Sequence, residues 1–93
     1  MVLGLLQMAL RLPEPQSLKE KRGVLKSLIT RIRNRFNVSV SEVDSQDKWQ
    51  LSTVAVAHVG IARPETNGLL DRVLKFAEDE KQIEVVGSKL EFF

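Results

Sequence analysis

Pro13-Glu14-Pro15-Gln16-Ser17-Leu18-Lys19-Glu20-Lys21-Arg22 is the stretch on which the fold turns, because it separates two hydrophobic periods. Its two prolines supply no N–H to a ladder and are not tolerated inside a helix, so the segment before them ends there. Ser17 followed three positions later by Glu20 is a capping box, which starts a helix near Leu18. Upstream, Val2, Leu6, Met8, Leu10 and Leu12 form one alternating set, while Leu3, Leu5, Gln7, Ala9 and Arg11 form the other. The first set is fully apolar and the second only partly wet, the pattern of a central strand. The run has no preceding basic region and stops well short of the roughly 20 apolar residues a membrane span needs. It reads as a buried strand and not as an export or membrane segment. Downstream, Leu18, Leu25, Leu28, Ile29, Ile32 and Phe36 recur at helical spacing as one apolar stripe.

Working outward, Asn37 to Asp44 alternates Val38 and Val40 against Ser39 and Ser41. Asp44-Ser45-Gln46-Asp47 supplies turn chemistry before Trp49 to Gly60 resumes an extended pattern, so the pair reads as a hairpin. Arg63-Pro64 opens a second helix to about Glu80, with Leu69, Leu70, Val73, Leu74 and Ala77 inward and Gly68 weakening its first turn. Gln82 to Phe93 is a last strand, in which the inward set shifts from Ile83 and Val85 to Leu90 and Phe92 and places a bulge at Gly87. The order β-α-β-β-α-β is the α+β ferredoxin-like arrangement, a four-stranded antiparallel sheet with two helices on one face. Ninety-three residues without a linker or repeat make one domain, residues 1–93. The chain has no cysteine, which removes disulfides, thiolate metal sites and thiol nucleophiles and fits a cytoplasmic setting.

Charge is the feature that points beyond the fold. Lys19, Lys21, Arg22, Lys26, Arg31, Arg33 and Arg35 are opposed within the first helix by Glu20 alone, a net +6, against −4 for the rest of a chain whose total is +2. Cations in the first turns of a helix face the positive end of its macrodipole, a cost that suggests an anionic partner. Projected at about 100° per residue, Lys19, Arg22, Lys26 and Arg33 fall on one flank of the apolar stripe as a basic ridge. Such a ridge can neutralise phosphates spaced along a nucleic-acid strand. The competing reading is a solvated face whose cations pair with Glu78, Asp79 and Glu80 or with water. Lys21 and Arg35 project nearer the stripe, where long stems snorkel.

Other constellations are weaker. The helix start lacks the glycines of a phosphate cradle and carries Glu14 beside its two prolines. The central strands lack the aromatics on which RNA-binding domains of this topology stack bases, Trp49 excepted, and no two of the five glycines lie three apart as a KH-type clamp requires. His58 stands alone among valines and alanines, a structural position and not a metal ligand. Glu42, Asp44 and Asp47 either form a weak Mg²⁺ site or are solvated turn acids, and turn chemistry favours the latter. Trp49 either anchors a partner at a sheet edge or, as is commoner, closes the small core. No catalytic residues, cofactor site or metal site emerge. Leu3 and Leu5, with Val54 and Val56 or Ala55 and Ala57, leave apolar area on the sheet face away from the helices, which suggests a homodimer or a protein partner.

Ser17-Leu18-Lys19-Glu20-Lys21-Arg22, Arg33-Asn34-Arg35-Phe36-Asn37-Val38-Ser39-Val40 with Glu42-Val43, and Asp47-Lys48-Trp49-Gln50 together resemble the YlxP-like family of small bacterial proteins over the whole length. The resemblance implies a ferredoxin-like fold, no established enzymatic activity, and genes set beside translation-initiation and ribosome-maturation factors. It thereby favours RNA or the ribosome as the anion. The candidate nucleic-acid contacts are Lys19, Lys21, Arg22, Lys26, Arg33 and Arg35; the candidate interface is Leu3, Leu5, Val54 and Val56. The expected protein is a non-enzymatic RNA- or ribosome-associated factor, with a homodimeric interaction module as the alternative. An acylphosphatase-like enzyme shares the topology, but its phosphate loop and catalytic side chains are not evident in these residues.

Overall fold

The computed structural model describes residues Met1–Phe93. In chain order the elements are β1 (Val2–Arg11), α1 (Leu18–Arg35), β2 (Ser39–Asp44), β3 (Leu51–Gly60), α2 (Arg63–Glu78) and β4 (Glu84–Phe92). The strands form one antiparallel sheet in the order β2-β3-β1-β4, the ferredoxin-like arrangement. β1 and β3, the two most apolar strands, take the centre, where both edges are paired. Leu6, Met8 and Leu10 stand beside Val56, Val54 and Ser52 in register, and the apolar stripes of both helices close over this face. Leu25, Leu28 and Ile32 come from α1; Leu70, Val73 and Ala77 come from α2.

β4 breaks register opposite Ala9 and Leu10, leaving Val86 as the extra residue beside Gly87. The inward set therefore moves to Leu90 and Phe92, as the sequence required. A second shift in β2, between Glu42 and Asp44, sets Val43 outside the pairing and has no sequence signal. Trp49 falls in the β2–β3 turn, 47% exposed, so the core closes without it.

At Gly4 α2 packs close against the sheet. A Cβ there would stand 2.5 Å from Thr66 Cγ2 and 2.8 Å from Leu70 Cδ1, so a larger residue fits only if these α2 side chains give way. Thr66, fully buried at that contact, shares a 3.0 Å hydrogen bond with His58 Nδ1. This satisfies two buried polar side chains at once and accounts for the single histidine structurally.

Candidate nucleic-acid interface

Ser17 starts α1 in extended backbone, its Oγ accepting from Glu20 N at 3.2 Å. Glu20 Oε2 accepts from Gln16 N at 2.7 Å, one residue before the N-cap, so the return bond of the box is displaced by one residue and the one acid of α1 folds back toward the loop. From this start the helix presents three strips.

The buried strip contains Lys21. Its helical angle puts it amid Leu25, Leu28 and Ile32, and its side chain is 1% exposed. Lys21 Nζ lies 2.9 Å from Glu42 Oε2 and donates to the Ser45 carbonyl at 2.5 Å. Ser52 Oγ, also buried, donates to the same Glu42 oxygen at 2.7 Å. Ser45 takes a left-handed backbone (φ 63) that turns its carbonyl into this network, and its N–H is held by Asp44 Oδ1 at 2.7 Å. Lys21 is thus corrected from a candidate RNA contact to a buried tie between α1 and the β2–β3 hairpin, because an ammonium that deep cannot reach a phosphate. Glu42 is likewise neither a metal ligand nor a solvated turn acid. It continues the inward set of Val38 and Val40, an offset of two that the sequence contained.

The flank facing β2 is the basic ridge. Lys19, Arg22, Lys26 and Arg33 are all exposed, and none takes part in the four ion pairs of the molecule, which join Arg11 to Glu84, Lys21 to Glu42, Arg31 to Glu80 and Lys89 to Glu91. Arg33 donates to the Val40 carbonyl at 2.9 Å, so its head lies over the open edge of β2. This caps an edge that would otherwise invite another strand. With Arg22, Lys26 and Ser41 it lines a shallow groove of about 380 Å³, in which Glu42, already paired with Lys21, is the one acid.

The flank facing α2 carries Arg31 and Arg35. Arg31 pairs with Glu80, whose hydrogen bond raises the guanidinium above its ordinary pKa. Arg35 lies over the rings of Phe76 (5.5 Å) and Phe36 (6.0 Å), which meet edge to face at 5.9 Å. Arg72 and Lys75 of α2 join Arg35 around a groove of about 460 Å³, with Asp79 as its one acid. Those two cations were missed because α2 is nearly balanced in charge, with Asp71 and Glu78 diluting them. Only the packing of the helices puts them beside Arg35.

On the far side of the sheet, Leu3 and Leu5 do face outward. Val54 and Val56 do not: both are fully buried. Residues directly opposite in an antiparallel pair share a face. Met8 and Leu6 point into the core, so their partners Val54 and Val56 must as well. The outward residues of β3 are Leu51, Thr53, Ala55, Ala57 and Val59. No helix is long and apolar enough to cross a membrane.

Residues 3–90 match the family described as a protein of unknown function, DUF503. A curated relative, the uncharacterized protein YlxP of Bacillus subtilis (strain 168), is 46% identical over 77 residues, covering 83% of this chain and 84% of the relative. With nearly the full length matched by one and most of it by the other, this chain belongs to the DUF503 family, to which its YlxP-like segments pointed.

Proposed function

We propose that this chain is a non-enzymatic cytoplasmic accessory factor that holds RNA, or an RNA-protein surface, through α1 during ribosome maturation or translation. The observation that carries the reading is the ridge of Lys19, Arg22, Lys26 and Arg33, exposed along one flank without a carboxylate partner. Their charges remain available to a polyanion, and Arg33 is already oriented by Val40. The translation-linked setting implied by the family resemblance selects RNA among polyanions. Four phosphate contacts give log affinity a slope on log salt of about −3 to −4, so binding weakens about 100-fold between 50 and 200 mM salt. Fluorescence anisotropy with a labelled ribosomal RNA fragment measures that slope, and an affinity flat in salt overturns the reading.

A second reading is favoured by the open sheet face. Leu3, Val59 and Phe93 are exposed there, with Leu5, Ala55 and Ala57 between them. Four of its charges are paired within the chain, Arg11 with Glu84 at 3.1 Å and Lys89 with Glu91 at 3.6 Å, which leaves Asp44, opposite Thr53 on the β2 edge, without an ion-pair partner. A second copy of this chain suits a face whose central strands β1 and β3 carry no unpaired charge, since twofold packing about that centre opposes no unpaired like charges there. Four strands of up to ten residues span roughly 600 Å² in projection, near the ~800 Å² per partner of a standard interface. Sedimentation equilibrium is expected to show a dimer, broken by Leu3→Lys with Val59→Lys. A monomer at high concentration removes this reading.

A further inference from the structure

We infer that α1 docks lengthwise on double-helical RNA, its two flanks meeting the two phosphate strands of one groove; this rests on the RNA reading above. The ridge residues Lys19, Arg22, Lys26 and Arg33 stand on one flank, and Arg35, with Arg31 beside it held by Glu80, stands roughly 170° around the helix on the other. Arg72 and Lys75 extend that second row beside Arg35, and none of these three cations has a carboxylate partner. A single row on a helix about 10–12 Å wide would match one strand of phosphates. Two rows on opposite flanks match two strands with a groove between them.

The strip between the rows is Gly23, Ser27, Thr30 and Asn34, all exposed and uncharged. Glu20, the acid on that arc, is drawn away by its bond to Gln16 N. These side chains are too short to probe a deep groove, and the major groove of duplex RNA is deep and narrow. The minor groove is wide and shallow and displays 2′-hydroxyls, which the hydroxyls of Ser27 and Thr30 and the amide of Asn34 can both donate to and accept from. Recognition is then by shape and sugar, with no dependence on base sequence.

The test compares one labelled sequence as an RNA duplex, as its RNA single strand and as the DNA duplex, in anisotropy titrations at fixed salt. The RNA duplex is expected to bind about tenfold or more tightly than either. Arg35→Gln with Arg72→Gln should weaken duplex binding by several-fold more than single-strand binding and so remove that preference. Ser27→Gln with Thr30→Gln, which changes no charge and touches no buried group, should weaken duplex binding alone. Equal affinity for the single strand or for DNA overturns duplex docking and leaves the RNA reading standing. Failure of all three probes to bind overturns both.

Discussion

Replacing Glu42 by alanine is expected to destabilise the domain by about 3–5 kcal/mol, the cost of leaving a buried charge without its partner. A chain of 93 residues has a total stability of about 5–14 kcal/mol, so this one side chain decides whether much of the population stays folded. The Lys21 side chain is 1% exposed and its ammonium would keep only the Ser45 carbonyl, while Ser52 Oγ would lose its acceptor. Lys21→Met should cost less, because the Glu42 side chain is 18% exposed and water can reach it once the lysine is gone. Removing both charges, Lys21→Met with Glu42→Leu, should recover most of the loss, since apolar residues of similar volume often replace a buried pair without penalty. Urea unfolding of the three variants measures this. A Glu42→Ala variant within about 1 kcal/mol of the native protein, or a double variant no better than the single, would sink the account.

The same pair marks where sequence reading stopped. Strand β1 was legible because it alternates cleanly and ends at two prolines, and α1 because a capping box opens it and its stripe keeps helical spacing. Lys21 was legible as a residue near that stripe, yet its charge was read as available. Its partner lies 21 residues away on another element, beside Asp44 and Asp47, which have the same chemistry and face solvent. Helical geometry places Lys21, but only the pairing of β2 with β3 turns Glu42 toward it. Val54-Ala55-Val56-Ala57-His58-Val59 posed a different problem. A strand apolar on both faces carries no alternation from which to tell in from out. Its orientation is fixed by register against β1, a long-range fact, and that register exchanged Val54 and Val56 for Ala55 and Ala57 on the open face. The cations of α2 show the same limit, since charge balance along one helix hides a cluster made by two.

Reversing the ridge, with Lys19, Arg22, Lys26 and Arg33 all changed to glutamate, should weaken RNA binding by about a thousandfold or more, as four contacts at roughly 1 kcal/mol each turn from attraction to repulsion. The fold should survive, because opposing effects on stability largely cancel along the helix. Glutamate at position 19 lies in the first turn, where it favours the macrodipole by about 0.3–1 kcal/mol. At position 33, in the last turn, the sign is reversed, and the hydrogen bond to the Val40 carbonyl is lost as well. The single variants therefore separate function from solvation. Lys19→Glu should raise the melting temperature by a few degrees while lowering RNA affinity, whereas Arg33→Glu should lower both. A merely solvated ridge would give the same melting shifts with no change in binding. Opposite signs in stability and affinity at Lys19 would mean that the native lysine is retained against the helix dipole for what it contacts. A stabilising Lys19→Glu with unaltered affinity would reduce the ridge to a wet surface.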